Sequence, residues 1–532
     1  MSLITWSWLF LILYIGAMLA IGVLGQRRVK HADDFATARG SYGPVFLAFA
    51  FAATTASGAT FLGGPALAYS FGFASVWGNF LYPIGVYFGV LISMRLIARS
   101  GNRFGNRSIP EYLGDRFQSD GIRVIVSVFS LVLFFYLAGQ LVSGLVMFEV
   151  MLGMPPIWAL IVTSSVLLFY VVLGGAHADI LTDGAQGVMM LILAVVVITL
   201  FVFGIGVEGG LSGLVDNLRN QDEHLVKPLN VTTPLYHSWW SIACIVLAHL
   251  PLGLLPHLGN KLWALKGIDQ QRSFIKLAFI FGITLGMLGL AGLLARGVLD
   301  DALLQSGANP NQSLPMLFIE LFPTWLAALI GVGILAAIMS TADGLVVSSS
   351  QIIANDLYRR TLAPRMTHIT PERQDRIELN IGRIATVFTL VICTVIAWFL
   401  IERNIALIVW IGIGGMMAAF AGPLVLGALW KGVTRRGAYA GLIAGFGTFV
   451  VLHMQLVNPV WFEGTGLLHI VITWLHGEGP NPISCAAIGE GVGVLMTYIV
   501  SKATAPLPED HVNAVFSNDP QETENEIQQS YS

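Results

Sequence analysis

Apolar stretches of about 20 residues, each long enough to cross roughly 30 Å of hydrocarbon, recur from one end of the chain to the other with short polar segments between them. Thirteen are readable, over residues 4–25, 44–71, 74–98, 123–152, 156–174, 184–207, 237–265, 274–298, 325–351, 380–401, 405–430, 437–457 and 484–502. The longer polar connections, 208–236 and 299–324, carry Pro, Asn and Gly and leave room for short surface helices. From 503 to 532 the apolar pattern stops. Glu509, Asp510, Asp519, Glu522, Glu524 and Glu526 gather there among Asn, Gln and Ser, which predicts a disordered acidic tail.

Composition agrees with an all-α integral membrane protein: 55% of the 532 residues are hydrophobic and 11% charged. The first span lacks the basic start and small-residue cleavage site of a secretory signal, and Arg27, Arg28 and Lys30 follow it instead. It therefore reads as a retained helix with its N-terminus outside. Thirteen spans from that start put the C-terminus inside. Of the 28 Lys and Arg, all but Arg219, Lys227, Arg296 and Arg403 then fall on the inner side, where basic loops belong. A multi-pass location in the cell inner (plasma) membrane is expected, with the lipid bilayer as solvent. The net charge of −3 averages basic inner loops with the acidic tail, so it gives no support to nucleic-acid binding. Nothing points to an obligate protein partner, and Cys244, Cys393 and Cys485 have no paired spacing and read as packing residues.

Two spans are interrupted by helix breakers. The second contains Ala53-Thr54-Thr55-Ala56-Ser57-Gly58-Ala59-Thr60 and then Gly63-Gly64-Pro65; the seventh contains His249-Leu250-Pro251-Leu252-Gly253 and then Pro256-His257. In hydrocarbon, backbone freed from its ladder survives only where it lines a cavity or is buried in protein. The breaks lie five spans apart, so the two copies run in opposite directions, as in inverted repeats around a midplane site. Gly and Pro also mark ordinary kinks in membrane helices; the matched placement favours the site.

Unwinding at Ala53–Gly58 would free the carbonyls of Ala53 and Ala56. In the ninth span Ala337, Ser340 and Thr341 lie at i, i+3 and i+4, on one helix face. Such oxygens suit a hard cation without burying a full negative charge. A Ser/Thr pair taken alone more often back-bonds to its own helix.

These two segments, Ala53–Gly58 with Gly63-Gly64-Pro65 and Ala336–Asp343, resemble the corresponding stretches of the sodium/solute symporter family. So do Gly174-Gly175 with Thr182-Asp183-x-x-Gln186-Gly187, the Pro256-His257 pair, which is similar to the pantothenate and proline permease branches, and Trp430-Lys431 followed by Gly437-Ala438-x-x-Gly441. The resemblance implies a LeuT-type 5+5 inverted repeat of thirteen transmembrane helices: a leading helix and inner loop (1–43), a first five-helix repeat (44–207), an outer loop (208–236), a second repeat (237–430), two C-terminal helices (431–502) and the tail (503–532). It also implies a secondary active transporter, not an enzyme, in which a sodium ion is co-transported with a small organic solute by alternating access. One sodium ion is assigned to the carbonyls of Ala53, Ala56 and Ala337 and the hydroxyls of Ser340 and Thr341. Asp183 is placed on the ion path near its inner end; on residues alone it reads equally as an interface acid paired with a loop arginine. The chain departs from the proline permeases in carrying Thr55 in place of an aspartate. It also has Lys261 where the pantothenate and proline carriers have arginine, and Gly432 at a usually basic position of the C-terminal signature.

Candidate solute contacts are the polar and aromatic groups of the spans that can face the midplane: Thr55, Ser57, Gly58, Thr60, Tyr82, Gln140, His249 and Trp410, with Trp77 and Tyr136 behind them. Aromatic residues in spans are often interface anchors, whereas an ionisable His249 inside a span marks function by default. Asp343 shares the ninth span with Ser340 and is left out of the site. The Gly-Gly-Pro and Pro-His segments favour a small carboxylate, such as pantothenate or a monocarboxylate, over a proline-like amino acid. A membrane-embedded sensor is the alternative of another class, against which the tail after 502 is too short for a kinase.

Overall fold

The computed structural model describes residues 1–28, 37–171, 175–365 and 370–517, and helix occupies each of the apolar stretches read from the sequence. Among the described residues nine helices are long and apolar enough to cross a membrane, or ten with the bent pair Trp239–Leu254 and Pro256–Ala264 taken as one; Pro44–Thr55 and Pro156–Leu168 are shorter apolar helices.

Helix Pro44–Thr55 stops where Ala56 turns to φ −87°, ψ 82°. The chain resumes as a π turn at Ala59–Gly63 and continues as Gly64–Phe71. Pro65 sits in the first turn of this last part, where its missing N–H costs nothing. The seventh span breaks in a related way. Trp239–Ala248, capped by Ser238, ends at His249 because Pro251 cannot donate to the ladder. A 3₁₀ turn at Leu252–Leu254 leads to Pro256–Gly259 and Asn260–Ala264, bent by 55° from the first half. Val76–Phe104 packs against this break, and at Gly89 a Cβ would lie 1.7 Å from the Leu250 carbonyl oxygen, so only glycine allows the approach.

The start of the second span and the end of the seventh are joined. Tyr42 and Leu265 form an isolated parallel bridge. The Tyr42 N–H donates to Ala264 at 2.9 Å, and the Lys266 N–H donates to the Tyr42 carbonyl at 3.0 Å.

Burial separates scaffold from lipid face. The helix Thr324–Gln351 is buried on all sides from Gly331 to Val346, which its Ala, Gly and Ser content permits by letting neighbours approach closely. By contrast Pro371–Leu400 exposes Ile384, Phe388, Val391, Val395 and Phe399, three or four residues apart, as a single lipid-facing stripe.

Two expectations change. The sixth helix begins at Gly175, not near 184, and runs to Phe203, so Asp179 and Asp183 lie inside it. The tail is not disordered from 503: Glu509–Phe516 is a helix. Arg103 donates to the Ala514 carbonyl and to Ser517, each at 3.0 Å, while the Arg116 guanidinium lies 4.8 Å from the Phe117 ring and 5.0 Å from that of Phe516. Val515, 2% exposed, completes an apolar face that the surrounding acids had masked in the sequence. Asp519, Glu522, Glu524 and Glu526 lie outside the described residues. The polar connection 208–236 contains the helix Gly210–Gln221, and 299–324 contains Ser313–Leu321.

Candidate functional site

The broken second span and the ninth helix meet at the residues expected to hold sodium. The Ser340 hydroxyl lies 2.9 Å from the carbonyl of Ala337 and 3.2 Å from that of Ala53, its proton shared between them. Thr341 donates to the carbonyl of Thr54 at 3.0 Å. Ala53, Ala56, Ala337, Ser340 and Thr341 are all buried, and Ala56 has left helical geometry, so its carbonyl is released from the ladder. Three of these five, Ala53, Ala337 and Ser340, thus lie in one hydrogen-bonded group, with Thr341 bonded to the adjacent Thr54 carbonyl and Ala56 in the adjoining break. Neutral carbonyls and hydroxyls in this arrangement can replace the hydration shell of a hard monovalent cation.

One turn further along, Asp183 is fully buried and its partner is Lys261, not a loop arginine. The Lys261 ammonium contacts Asp183, lies 2.9 Å from Asp179 Oδ2 and donates to Thr54 Oγ1 at 2.7 Å. Thr54 in turn donates to Asp183 at 2.6 Å, while its carbonyl accepts from Thr341. Asp343 joins the group: oxygens of Asp179, Asp183 and Asp343 lie within 4.8 Å of one another. Sequence reasoning missed Asp179, Lys261, Thr54 and the nearness of Asp343. A signal was present, because Asp179 and Asp183 are at i and i+4 on one face and Lys261 is an ionisable residue inside a span.

On the other side of the break lies a cavity with about 490 Å³ of space between the atoms of its walls and mouth. Thr55, Ser57, Thr60, Tyr82, Tyr136, His249 and Trp410 line it, joined by Asn79 and Tyr236, which the sequence did not single out. Thr60 and Tyr82 hydroxyls are 3.2 Å apart, and His249 Nδ1 bonds the Ile245 carbonyl at 2.6 Å, fixing the ring at the end of its helix. Gly58 and Gln140 are not on the cavity wall but behind it, where the Gly58 N–H donates to Gln140 Oε1 at 2.9 Å. Trp77 is elsewhere, donating to the Pro228 carbonyl at 2.9 Å and holding the 208–236 connection.

A polar network ties the short helix Ile109–Arg116 to the continuation of the ninth helix beyond Gln351. Glu111 pairs with Arg360, Ser108 donates to Asp356 at 2.8 Å, and Arg123 donates to the Arg360 carbonyl at 3.0 Å. It lies at the same end of the bundle as the tail helix, on the far side of the acidic cluster from the cavity.

Two spans broken at matched positions, buried carbonyls and hydroxyls where they meet the ninth helix and a cavity beside them are the architecture of a secondary transporter. The sodium:solute symporter family model matches residues 35–445, and the chain belongs to that family. It is 28% identical over 471 residues to the sodium/pantothenate symporter of Escherichia coli K12, covering 85% of this chain and 92% of that one. With the sodium/proline symporter of Salmonella typhimurium LT2 the identity is 29% over 498 residues, covering 88% and 92%. Among solved structures, the substrate-bound, outward-open state of a sodium-coupled sialic acid symporter superposes with a TM-score of 0.69 at 21% identity, over 95% of this chain and 99% of that chain. A nucleobase-cation-symport-1 family transporter in a closed conformation gives 0.53 at 11% identity, over 91% and 98%. The protein is therefore a multi-pass, sodium-coupled solute symporter, and sodium is its co-transported ion.

Proposed function

We propose that this symporter imports a small organic monoanion, first a carboxylate of the pantothenate or monocarboxylate kind, across the inner membrane. Sodium would bind to Ala53, Ala56, Ala337, Ser340 and Thr341, and the solute would dock between Thr55, Ser57, Thr60, Tyr82, His249 and Trp410. The observation that carries this reading is the start of the resumed helix: Ser57, Ala59, Thr60 and Gly64 all line the cavity. The first N–H groups there are held by Gln140 Oε1, Ser57 Oγ and the Ser57 carbonyl, so what the break offers an anionic group is the partial positive charge of a helix N-terminus together with the Ser57 and Thr60 hydroxyls. Among the described lining residues there is no Lys or Arg, so one negative charge is matched and several are not.

A thirteen-span topology with the N-terminus outside fits the helices found. The ten candidate spans are completed by the first half of the second span, Pro156–Leu168 and Arg435–His453. The repeats would then run over 44–207 and 237–430, with Asp183 on the inner ion path. Sodium binding orders the break of the second span against the ninth helix, the solute completes the cavity, and the repeats rock to release both inward. The membrane potential contributes about 2.3 kcal/mol per 100 mV for each positive charge carried.

Uptake of labelled pantothenate, pyruvate and proline into proteoliposomes under an inward sodium gradient tests this. Sodium-driven uptake of one of the two carboxylates is expected. Preferential proline uptake would move the assignment to an amino acid, and equal uptake with a proton gradient alone would remove the sodium site.

A further inference from the structure

Three buried carboxylates, an ammonium among them and a second cavity beneath them form a group outside the solute cavity and the five proposed sodium ligands. Asp179, Asp183 and Asp343 are 8%, 0% and 2% exposed, and their oxygens lie within 4.8 Å of one another, a geometry suited to a cation. Lys261, 4% exposed, already supplies one. Its ammonium has three N–H groups, and three acceptors are in reach: Asp179 at 2.9 Å, Thr54 at 2.7 Å, and Asp183 in direct contact. A metal ion entering the same carboxylates would sit against the ammonium and be repelled by it.

The lysine's placement is fixed by the fold. It projects from the 3₁₀ segment Asn260–Ala264 of the broken seventh span, while Thr54 closes the first half of the broken second span and the two aspartates come from the sixth helix. Beneath the cluster, about 330 Å³ of empty space is lined by Asp179, His257, Asn260, Lys261, Gly344 and Ser348. Both ring nitrogens of His257, itself 2% exposed, are without a hydrogen-bond partner there. Of the three carboxylates, Asp179 is the one that borders this space.

We propose that Lys261 is a tethered cation that fills the Asp179/Asp183/Asp343 position, so that this chain carries one sodium ion per cycle and not two. The proposal rests on the reading of Ser340 and Thr341 as sodium ligands. The lysine holds the negative cluster in a bound-like state throughout the cycle, and its bond to Thr54 keeps the neighbouring sodium donors in place.

Equilibrium binding of ²²Na⁺ to the purified full-length protein reads the site count without knowledge of the solute. One sodium per chain with a Hill coefficient near one is expected, lost in the Ser340→Ala/Thr341→Ala double variant. Lys261→Met should bind a second sodium, and Lys261→Met/Asp183→Asn should return to one; Lys261→Arg, which keeps the charge, should stay at one. Two sodium ions per wild-type chain would overturn the proposal, and so would a folded, monodisperse Lys261→Met that still binds one. Should Lys261→Met not fold, Lys261→Gln, which keeps a polar group but removes the charge, carries the same test: a second sodium supports the proposal and a single one overturns it. If Ser340→Ala/Thr341→Ala leaves the single wild-type ion in place while Lys261→Met gains another, the assignment of the first site fails and the tethered cation stands.

Discussion

Gln140 Oε1 accepts the Gly58 backbone N–H at 2.9 Å, a side chain of the fourth span holding the unwound backbone of the second. Both residues are buried, so the bond replaces a helical partner that the break has removed. Gln140→Leu leaves that N–H unpaired at a cost of about 1–3 kcal/mol. The expected outcome is a lower melting temperature and a weaker response of that temperature to added sodium, measured by thermal shift in NaCl against choline chloride. A variant that melts lower but keeps the full sodium response would uncouple Gln140 from the ion site.

Gly58 is constrained from the same side. A Cβ there would lie 2.2 Å from Ser143 Oγ and 2.7 Å from its Cβ. Gly58→Ala should therefore destabilise by about 1–3 kcal/mol through overpacking. Ser143→Gly in the same chain should recover most of the loss, which a double-variant melting comparison reads directly.

For sodium itself, Ser340→Ala and Thr341→Ala each remove a hydroxyl donor while leaving the helix intact. Each should weaken sodium binding by roughly 10- to 100-fold, the worth of one contact to a charged group. Titration of sodium-dependent uptake gives the shift as a change in half-saturating sodium. Half-saturation that does not move in either variant would place the ion elsewhere.

His249 faces the cavity but not the sodium donors. His249→Ala should raise solute KM about 10-fold or more with half-saturating sodium little changed, the pattern of lost solute binding. Movement of the sodium dependence with unchanged KM would assign His249 to coupling instead.

The breaks were legible in the sequence because Gly, Pro and small hydroxylated residues are expensive inside an apolar helix unless something uses the freed backbone. That Ala53, Ala337 and Ser340 come together was legible partly by spacing and partly by family resemblance. The acidic cluster was not. Asp179 and His177 made the start of the sixth helix look like a polar loop after Gly174-Gly175, and only the lysine folded in from the seventh span, 78 residues beyond Asp183, lets those acids stay within a helix. The tail helix was hidden in a similar way, its Val512, Val515 and Phe516 set in a tail of acidic and polar composition, although Arg103, Arg116 and Lys431 elsewhere in the chain were waiting to cover it.

The two hydrogen bonds of the Tyr42–Leu265 bridge make the entry to one broken span and the exit from the other a single mechanical part. Neither strand of backbone can swing away without tearing both bonds at once. A rocking molecule needs a pivot, a place where moving bodies keep their separation while distances elsewhere grow and shrink. In the rocking motion proposed above, this short parallel clasp is the candidate for that place, close along the chain to the lysine that pairs with Asp179 and Asp183.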